Sequence, residues 1–408
     1  MSLAHPRTMA LVDPGLPVVS TLLGLPHPPA LQAAVDTTGG QLTDVRITQV
    51  SWWPGRSITV RYSVSITGGT LPGEHAFVCV AGRIPEGSLL VESDLGTVGV
   101  WRVPYDPALP GMAAAVDNDQ VSQLLVDLGS TPGLVTTRLR AYRPRRRAVV
   151  QVTGAEHSIF LKVVRPDRVD HLHQIHRTLS ATLPIPSSFG VDDAKGIVAM
   201  QALPGATLRH ILENPSEETP PIAHILGLVD SLPAPRSDKV TSSPIERLPS
   251  TVRMLSSITP ELAPRLQAIL ERIGEETAAA DHPVHGDFYE SQIMVADGRI
   301  TGLVDVDTYG WGRPADDAAT MLGHMSIWAG MSANPDRVRT LGSDLLRMWD
   351  TTLDPIDLRL RTAAMTLSLA SGPFRVQSAA WPSEVAHRVS LAELWIGSED
   401  REKTLIPL

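Results

Sequence analysis

One stretch of this sequence concentrates side chains able to do chemistry: His285-Gly286-Asp287-Phe288-Tyr289-Glu290-Ser291-Gln292, then Ile293-Met294-Val295 and Leu303-Val304-Asp305. Between the two apolar runs, Asp297-Gly298 is a hairpin turn signal, because glycine accepts a positive φ at little cost. Gln292 precedes that turn and Asp305 follows it at similar distances, so both fall near the open end of one hairpin. An amide oxygen and a carboxylate brought together there are hard oxygen ligands suited to Mg²⁺. Asp287, in the loop entering the hairpin, would lie close by. Far upstream, Lys162 stands between Leu161 and Val163 in an apolar strand pattern. Phosphoryl transfer needs a carboxylate to position a hydroxyl and take its proton, oxygen ligands for Mg²⁺, and a lysine on the phosphates. Asp287, Gln292 with Asp305, and Lys162 fill those roles in type and order. The plainer alternatives are a hairpin with polar ends and a solvated strand lysine.

The elements that must position these residues are legible in outline. Residues 1–40 are rich in Pro and Leu and read as an irregular arm or short helices. From Val45 to Val103 the pattern is strands, broken by Gly-rich turns. Residues 117–129 read as a helix with Val121, Leu124, Leu125 and Leu128 on one side. Strands resume with TRLRAY, RAVVQV and SIFLKVV, then a helix over 168–181, the strand IVAMQAL and a helix starting near Leu208. Residues 232–250 read as a Pro- and Ser-rich loop, and 260–278 as a helix. The last 80 or so residues read as helices with Pro and Gly breaks. The expected class is α+β, with a small β-rich lobe and a larger helical lobe. There is also a weak internal repeat. Trp53-Pro54-Gly55-Arg56 lines up with Arg143-Pro144-Arg145-Arg146, and Phe77-Val78-Cys79-Val80 with Phe160-Leu161-Lys162-Val163. This alignment sets Cys79 against Lys162. The expected parts are an N-terminal β-rich cap over 1–130, a degenerate duplicate of the sheet that follows, then 131–204 and 205–408.

Composition narrows the partners. Of 408 residues, 43% are hydrophobic and 19% charged, a globular balance, and the formal net charge of −9 gives no footprint for nucleic acid. One cysteine, Cys79, rules out an internal disulfide and fits a cytoplasmic location. No apolar run reaches membrane-spanning length, and prolines interrupt the N-terminus where a signal peptide needs an unbroken apolar stretch. His171, His173 and His176 do not share one helix face and read as surface histidines. The tryptophans, Trp52, Trp53, Trp101, Trp381 and Trp395 among them, read as core or interface anchors.

The stretch from His285 to Asp305 resembles the aminoglycoside phosphotransferase and choline kinase group, whose loop runs His-Gly-Asp with Asn five residues after the Asp. Gln292 in that place resembles the maltokinase-like branch, whose members also carry an N-terminal extra subdomain. The resemblance implies a two-lobed protein-kinase-like fold and ATP-dependent phosphorylation of a small-molecule hydroxyl acceptor: a sugar, amino sugar or aminoglycoside-like compound. It implies Asp287 as the catalytic carboxylate, Gln292 and Asp305 on Mg²⁺, and Lys162 on the ATP phosphates. His285 would brace the loop, and Asp316 and Asp317 would cap and brace a helix. Gln201 and Leu203, in IVAMQAL, would meet the adenine through their backbone. Two features depart from the family. The helix after Lys162 contains no Glu to pair with it, Asp170 being its only acid. The turn over the nucleotide is Arg143-Pro144-Arg145-Arg146-Arg147, where Arg145 would grip phosphate.

Two other readings stay open at the level of sequence. A pseudokinase would keep the fold as a binding module without turnover. A metal-dependent hydrolase would use His285, Asp287, Asp305 and Asp307 as ligands.

Overall fold

The structure, a computed structural model, describes residues 11–24, 27–131, 133–154 and 158–398. Residues 1–10, which carry part of the signal-peptide argument, lie outside the described residues. The chain divides into two compact units: residues 1–174, 188–202 and 373–381 form one, and 175–187, 203–372 and 382–408 the other.

The first unit is built on two five-stranded antiparallel sheets. One holds β1 (Gln41–Trp53), β2 (Ser57–Thr67), β3 (Gly73–Ala81), β4 (Leu89–Val91) and β5 (Val98–Arg102), in the order β1-β2-β3-β5-β4. The other holds β6 (Thr136–Arg143), β7 (Arg147–Thr153), β8 (Ser158–Val164), β9 (Ser188–Asp192) and β10 (Ile197–Gln201), in the order β6-β7-β8-β10-β9. The two orders are the same. Alternation of branched and polar residues selects the faces. Along β2, Ile58, Val60, Tyr62, Val64 and Ile66 are buried, with half-buried residues between them. Val78, Val80 and Trp101 of the first sheet share a core with Val150, Leu161, Val163 and Ala199 of the second. Met112, and Val121 and Leu125 from the helix Asn118–Asp127, complete that core. The opposite face of the second sheet, with Val164, Val198 and Met200, is covered by Val169 and Leu172 of the helix Val169–Leu179.

The likeness of the two sheets extends to their first hairpins. Trp53 pairs with Ser57 and Arg143 with Arg147 across turns of equal length. The third turn residue is left-handed in each, Gly55 at φ 70° and Arg145 at φ 64°. A buried aspartate supports each turn. Asp13 accepts the indole N–H of Trp52 at 3.0 Å and the Gly55 N–H at 2.8 Å. Asp106 accepts the Tyr142 hydroxyl at 2.8 Å and the Arg145 N–H at 2.7 Å. These aspartates open matching segments, Asp13-Pro14-Gly15-Leu16-Pro17 and Asp106-Pro107-Ala108-Leu109-Pro110. Through the strand pairs Thr59 with Val80 and Val149 with Lys162, the residue equivalent to Lys162 is Val80, one position from the Cys79 of the sequence alignment. Cys79 is fully buried on the other face of β3.

The second unit is mainly helical. Its two small sheets join β11 (Ala206–Thr207) to the hairpin of β13 (Ile293–Ala296) and β14 (Arg299–Leu303), and β12 (His282–Val284) to β15 (Gly310–Gly312). The expected loop over 232–250 stops sooner than expected, because a helix runs from Pro244 to Ile258. Ser243 and Glu246 form a reciprocal capping box, with Pro244 in the first turn, where its missing N–H costs nothing. The helix expected over 260–278 is a short turn at Pro260–Leu262 and a helix from Ala263 to Ile273, ended by Gly274 at φ 74°. His176 is buried, against the surface expectation, with its Nδ1 2.8 Å from the Pro186 carbonyl oxygen. Trp52, Trp101 and Trp395 are core residues, whereas Trp53 is exposed. Among the described residues, no helix is long and apolar enough to cross a membrane.

Candidate active site

The second unit gathers Asp287, Gln292 and Asp305 around one hairpin. Asp297 and Gly298 both have positive φ, the two-residue turn that the Asp-Gly pair favours. Ile293 pairs with Leu303, and the Val304 N–H donates to the Gln292 carbonyl at 2.8 Å. Gln292 therefore faces the residue just before Asp305. Asp305 has a left-handed backbone, φ 60° and ψ 46°, which turns the chain sharply out of the hairpin. Gln292 is buried, and Asp287 and Asp305 are half-buried. An amide oxygen and one carboxylate suit Mg²⁺, which keeps several waters and takes its other ligands from substrate phosphates. The residues present thus fit that ion.

His285, Gly286 and Asp287 follow β12 in a loop that is tied down on every side. The carboxylate of Asp317, in the first turn of the helix Asp316–Ala329, accepts the His285 N–H at 2.7 Å and the Gly286 N–H at 2.8 Å. Burial pushes Asp317 up to about 7, against those two bonds and with Asp316 and Asp287 adding like charge. The His285 ring is fully buried. Its Nε2 lies 3.0 Å from the Val304 carbonyl oxygen, which can only accept, so Nε2 carries the proton. Nδ1 then accepts the Asp287 N–H at 3.3 Å. With both nitrogens engaged, the imidazole is a neutral brace linking the Asp287 loop to the strand end that carries Asp305. It has no lone pair left for a metal, which removes one ligand from the hydrolase reading. The Thr308 hydroxyl donates to the His285 carbonyl at 2.9 Å. Gly286, at φ 80°, would bring a Cβ to 2.7 Å from Thr241 Cγ2.

Behind the loop lies a buried ion network that no local sequence signal announced. Arg361, buried on the helix Pro355–Leu369, reaches Glu276 at 2.7 Å, Asp316 at 2.9 Å and Asp357 at 2.8 Å. Arg313 bonds Glu246 at 2.6 Å. Burial works against Glu276, yet Arg361, Ser243 and the Ala278 N–H hold its carboxyl at about 2. Arg247, also missed from sequence, is lowered by burial, and the charges of Asp316 and Asp287 oppose that shift. Beside Asp287, the Tyr289 ring stacks on His324 at 3.9 Å. Burial, then the charges of Arg209 and Arg388, depress His324 to about 3, so this imidazole is neutral. Glu290 is buried and pairs with Arg209, whose guanidinium lies 4.7 Å from the centre of the Trp328 ring.

The remaining expected site residues belong to the chain around β8 and β10. Lys162 is buried and pairs with Val149 and Val198. Its neighbours Leu161 and Val163 face the core shared by the two sheets, so Lys162 projects from the opposite face. Gln201 ends β10, and Leu203 opens the next stretch of the second unit. Arg145 lines a cavity on the side of the first sheet that carries Thr59 and Arg61, so its surroundings differ from those of Lys162. Asp170 is exposed. Among the described residues, no group of three or more His, Cys, Asp or Glu is placed to hold a metal.

The phosphotransferase enzyme family, abbreviated APH, matches residues 140–352, just over half of the chain. No curated protein matches significantly. Similar solved structures include a thermostable mutant of aminoglycoside phosphotransferase APH(4)-Ia in ternary complex with AMP-PNP and hygromycin B. It is 14% identical, covering 69% of this chain and 98% of its own, at a TM-score of 0.48. Macrolide 2′-phosphotransferase type I is 16% identical, over 67% of this chain and 98% of its own, at a TM-score of 0.45. The streptomycin–ATP–APH(2″)-IIa complex is 14% identical, over 66% and 96%, at 0.47.

Proposed function

Since this chain belongs to the phosphotransferase enzyme family and is a small-molecule kinase with the family's α+β fold, we propose that it transfers the γ-phosphoryl group of ATP to a hydroxyl of a sugar, amino sugar or aminoglycoside-like compound. The observation that carries this reading is the bond from the Val304 N–H to the Gln292 carbonyl. It brings Gln292 up to Asp305 at the end of the hairpin that the Asp287 loop enters.

In this reading Asp287 accepts a hydrogen bond from the acceptor hydroxyl, aims its oxygen at the γ-phosphorus and takes its proton as the new P–O bond forms and the bond from the γ-phosphorus to the departing ADP breaks. Gln292 and Asp305 would hold Mg²⁺, which neutralises phosphate charge when bound. Lys162 neutralises the α- and β-phosphates, and backbone groups at Gln201 and Leu203 receive the adenine. His285, held neutral, transfers no proton; it fixes where Asp287 stands. Catalysis of this kind is positioning and electrostatics.

The test is ADP formation by the purified chain with ATP and Mg²⁺, across panels of sugars, amino sugars and aminoglycosides, with the product identified by mass. A phosphorylated acceptor made by wild type and not by Asp287→Asn supports the reading. Nucleotide binding without turnover on any acceptor would favour the pseudokinase instead. No binding of ATP or GTP would end the kinase reading.

A further inference from the structure

The first unit contains a cavity of about 390 Å³ walled by arginine. Arg56, Arg61 and Arg83 come from the first sheet and its turns. Arg143, Arg145 and Arg146 come from the β6–β7 turn, with Arg165 and Arg375 completing the wall. Among the described residues only Arg165 of this set forms an ion pair, a 3.3 Å contact with the exposed Asp167. The nearby acid Asp106 is already engaged with the Tyr142 hydroxyl and the backbone of Arg145 and Ala108. Burial, then repulsion from Arg143, holds Arg146 and Arg375 below the ordinary arginine range. So many guanidinium groups around one space repel each other unless an anion joins them, and their planar forks match phosphate oxygens.

Thr59 and Arg61 line the cavity and pair with Val80 and Val78. In the second sheet the residues equivalent to Thr59 and Val80 are Val149 and Lys162. The cavity therefore lies on the face of the first sheet that corresponds to the Lys162 face of the second, beside the matching turn.

We propose that this cavity is an anion site separate from the one served by Lys162, and that it binds a small molecule carrying two or more phosphate groups. A single phosphate brings too little charge for this wall, and 390 Å³ falls within the range of small-ligand sites. The exposed Trp53 at the lining adds a flat apolar surface for an organic portion. The shared chemistry is the clustered phosphates; an inorganic polyphosphate and an organic bisphosphate are its two sources.

The test is calorimetry on the full chain, saturated with a non-hydrolysable ATP analogue and Mg²⁺. Inorganic tripolyphosphate and a hexose bisphosphate are titrated in separate arms, with orthophosphate as the reference. Two double variants of cavity-lining arginines are compared, Arg56→Gln with Arg83→Gln and Arg143→Gln with Arg146→Gln. The expected result is one site per chain for at least one polyphosphorylated probe, tighter than orthophosphate by tenfold or more. Each double variant should weaken it at least tenfold with an unchanged melting temperature, and the nucleotide analogue should not displace it. The stronger arm identifies the source. Absence of binding in both arms, affinity unchanged from wild type in both double variants, or full displacement by the nucleotide analogue would overturn the proposal. Should one double variant melt early, the other decides.

Discussion

The carboxylate of Asp317 accepts the Gly286 N–H at 2.8 Å, and this bond ties the start of the helix Asp316–Ala329 to the turn that carries Asp287. The second oxygen does the same for His285 at 2.7 Å. The loop is thus held in part by a carboxylate 31 and 32 positions further along the chain.

Asp317→Ala should leave both buried N–H groups without an acceptor. The expected cost is about 1–3 kcal/mol for each unsatisfied group, read as a lower melting temperature, together with a fall in kcat because Asp287 is no longer fixed. Leucine at this position should be no better, since what is missing is an acceptor.

The same aspartate gives a pH signature. Its folded value of about 7 lies above the ordinary 3.8, so the native state binds a proton more readily than the unfolded chain between those values. Its contribution to stability is therefore greatest below pH 3.8 and declines until pH 7. Denaturant melts across that window should show a shallower decline in Asp317→Asn than in wild type.

Glu276 acts in the opposite direction. Held at about 2 from an ordinary 4.5, it contributes stability that is fully present above pH 4.5 and is lost as pH falls towards 2. Glu276→Gln should remove this acid-side loss and lower stability at neutral pH by about 3–5 kcal/mol, because Arg361 is left buried with less charge against it. Chemical denaturation at pH 7 and pH 3 separates the two effects.

Asp287→Asn should keep the fold, since the side chain is half-buried and the loop is held through backbone groups. The rate should fall by about 10²–10⁴ with little change in nucleotide affinity, as expected when a group that takes a proton is removed. A large loss of nucleotide binding would assign Asp287 a different part.

Gly286→Ala should be costly out of proportion to its size. The added Cβ meets Thr241 Cγ2 at 2.7 Å, and φ of 80° is itself unfavourable for alanine. A drop in melting temperature partly restored by Thr241→Ser checks the steric part.

Much of this was legible in advance where the signal is local. The Asp297-Gly298 turn, the alternation along β2 and the lysine in an apolar strand are each written within a few residues. The capping box at Ser243 and Glu246 was equally local, but the prolines around it made the segment read as a loop. Relationships carried by tertiary packing left no such trace. Arg361 reaches Glu276 across 85 positions, and neither residue stands in a pattern that names the other. The burial of His176 is of the same kind, because its solvent exposure is set by the segment around Pro186. The twin sheets are an intermediate case. Their turns align by eye, but the repeated Asp-Pro-x-Leu-Pro segment gains meaning only once each aspartate is seen under its turn. The strand pairing then moves the partner of Lys162 by one residue.

The left-handed backbone at Asp305 narrows the alphabet available to that position. Glycine, asparagine and aspartate accept such a conformation readily, and other residues pay roughly 1–2 kcal/mol for it. An alanine there would report lost charge and a disturbed chain path together, whereas an asparagine keeps the path and removes only the charge. The same restriction acts on drift in descendants of this gene. A single-base change of an aspartate codon to asparagine or glycine would silence the carboxylate while leaving a folded protein behind. In the proposed function, where Asp305 holds Mg²⁺, the passage from kinase to pure binding protein is structurally short.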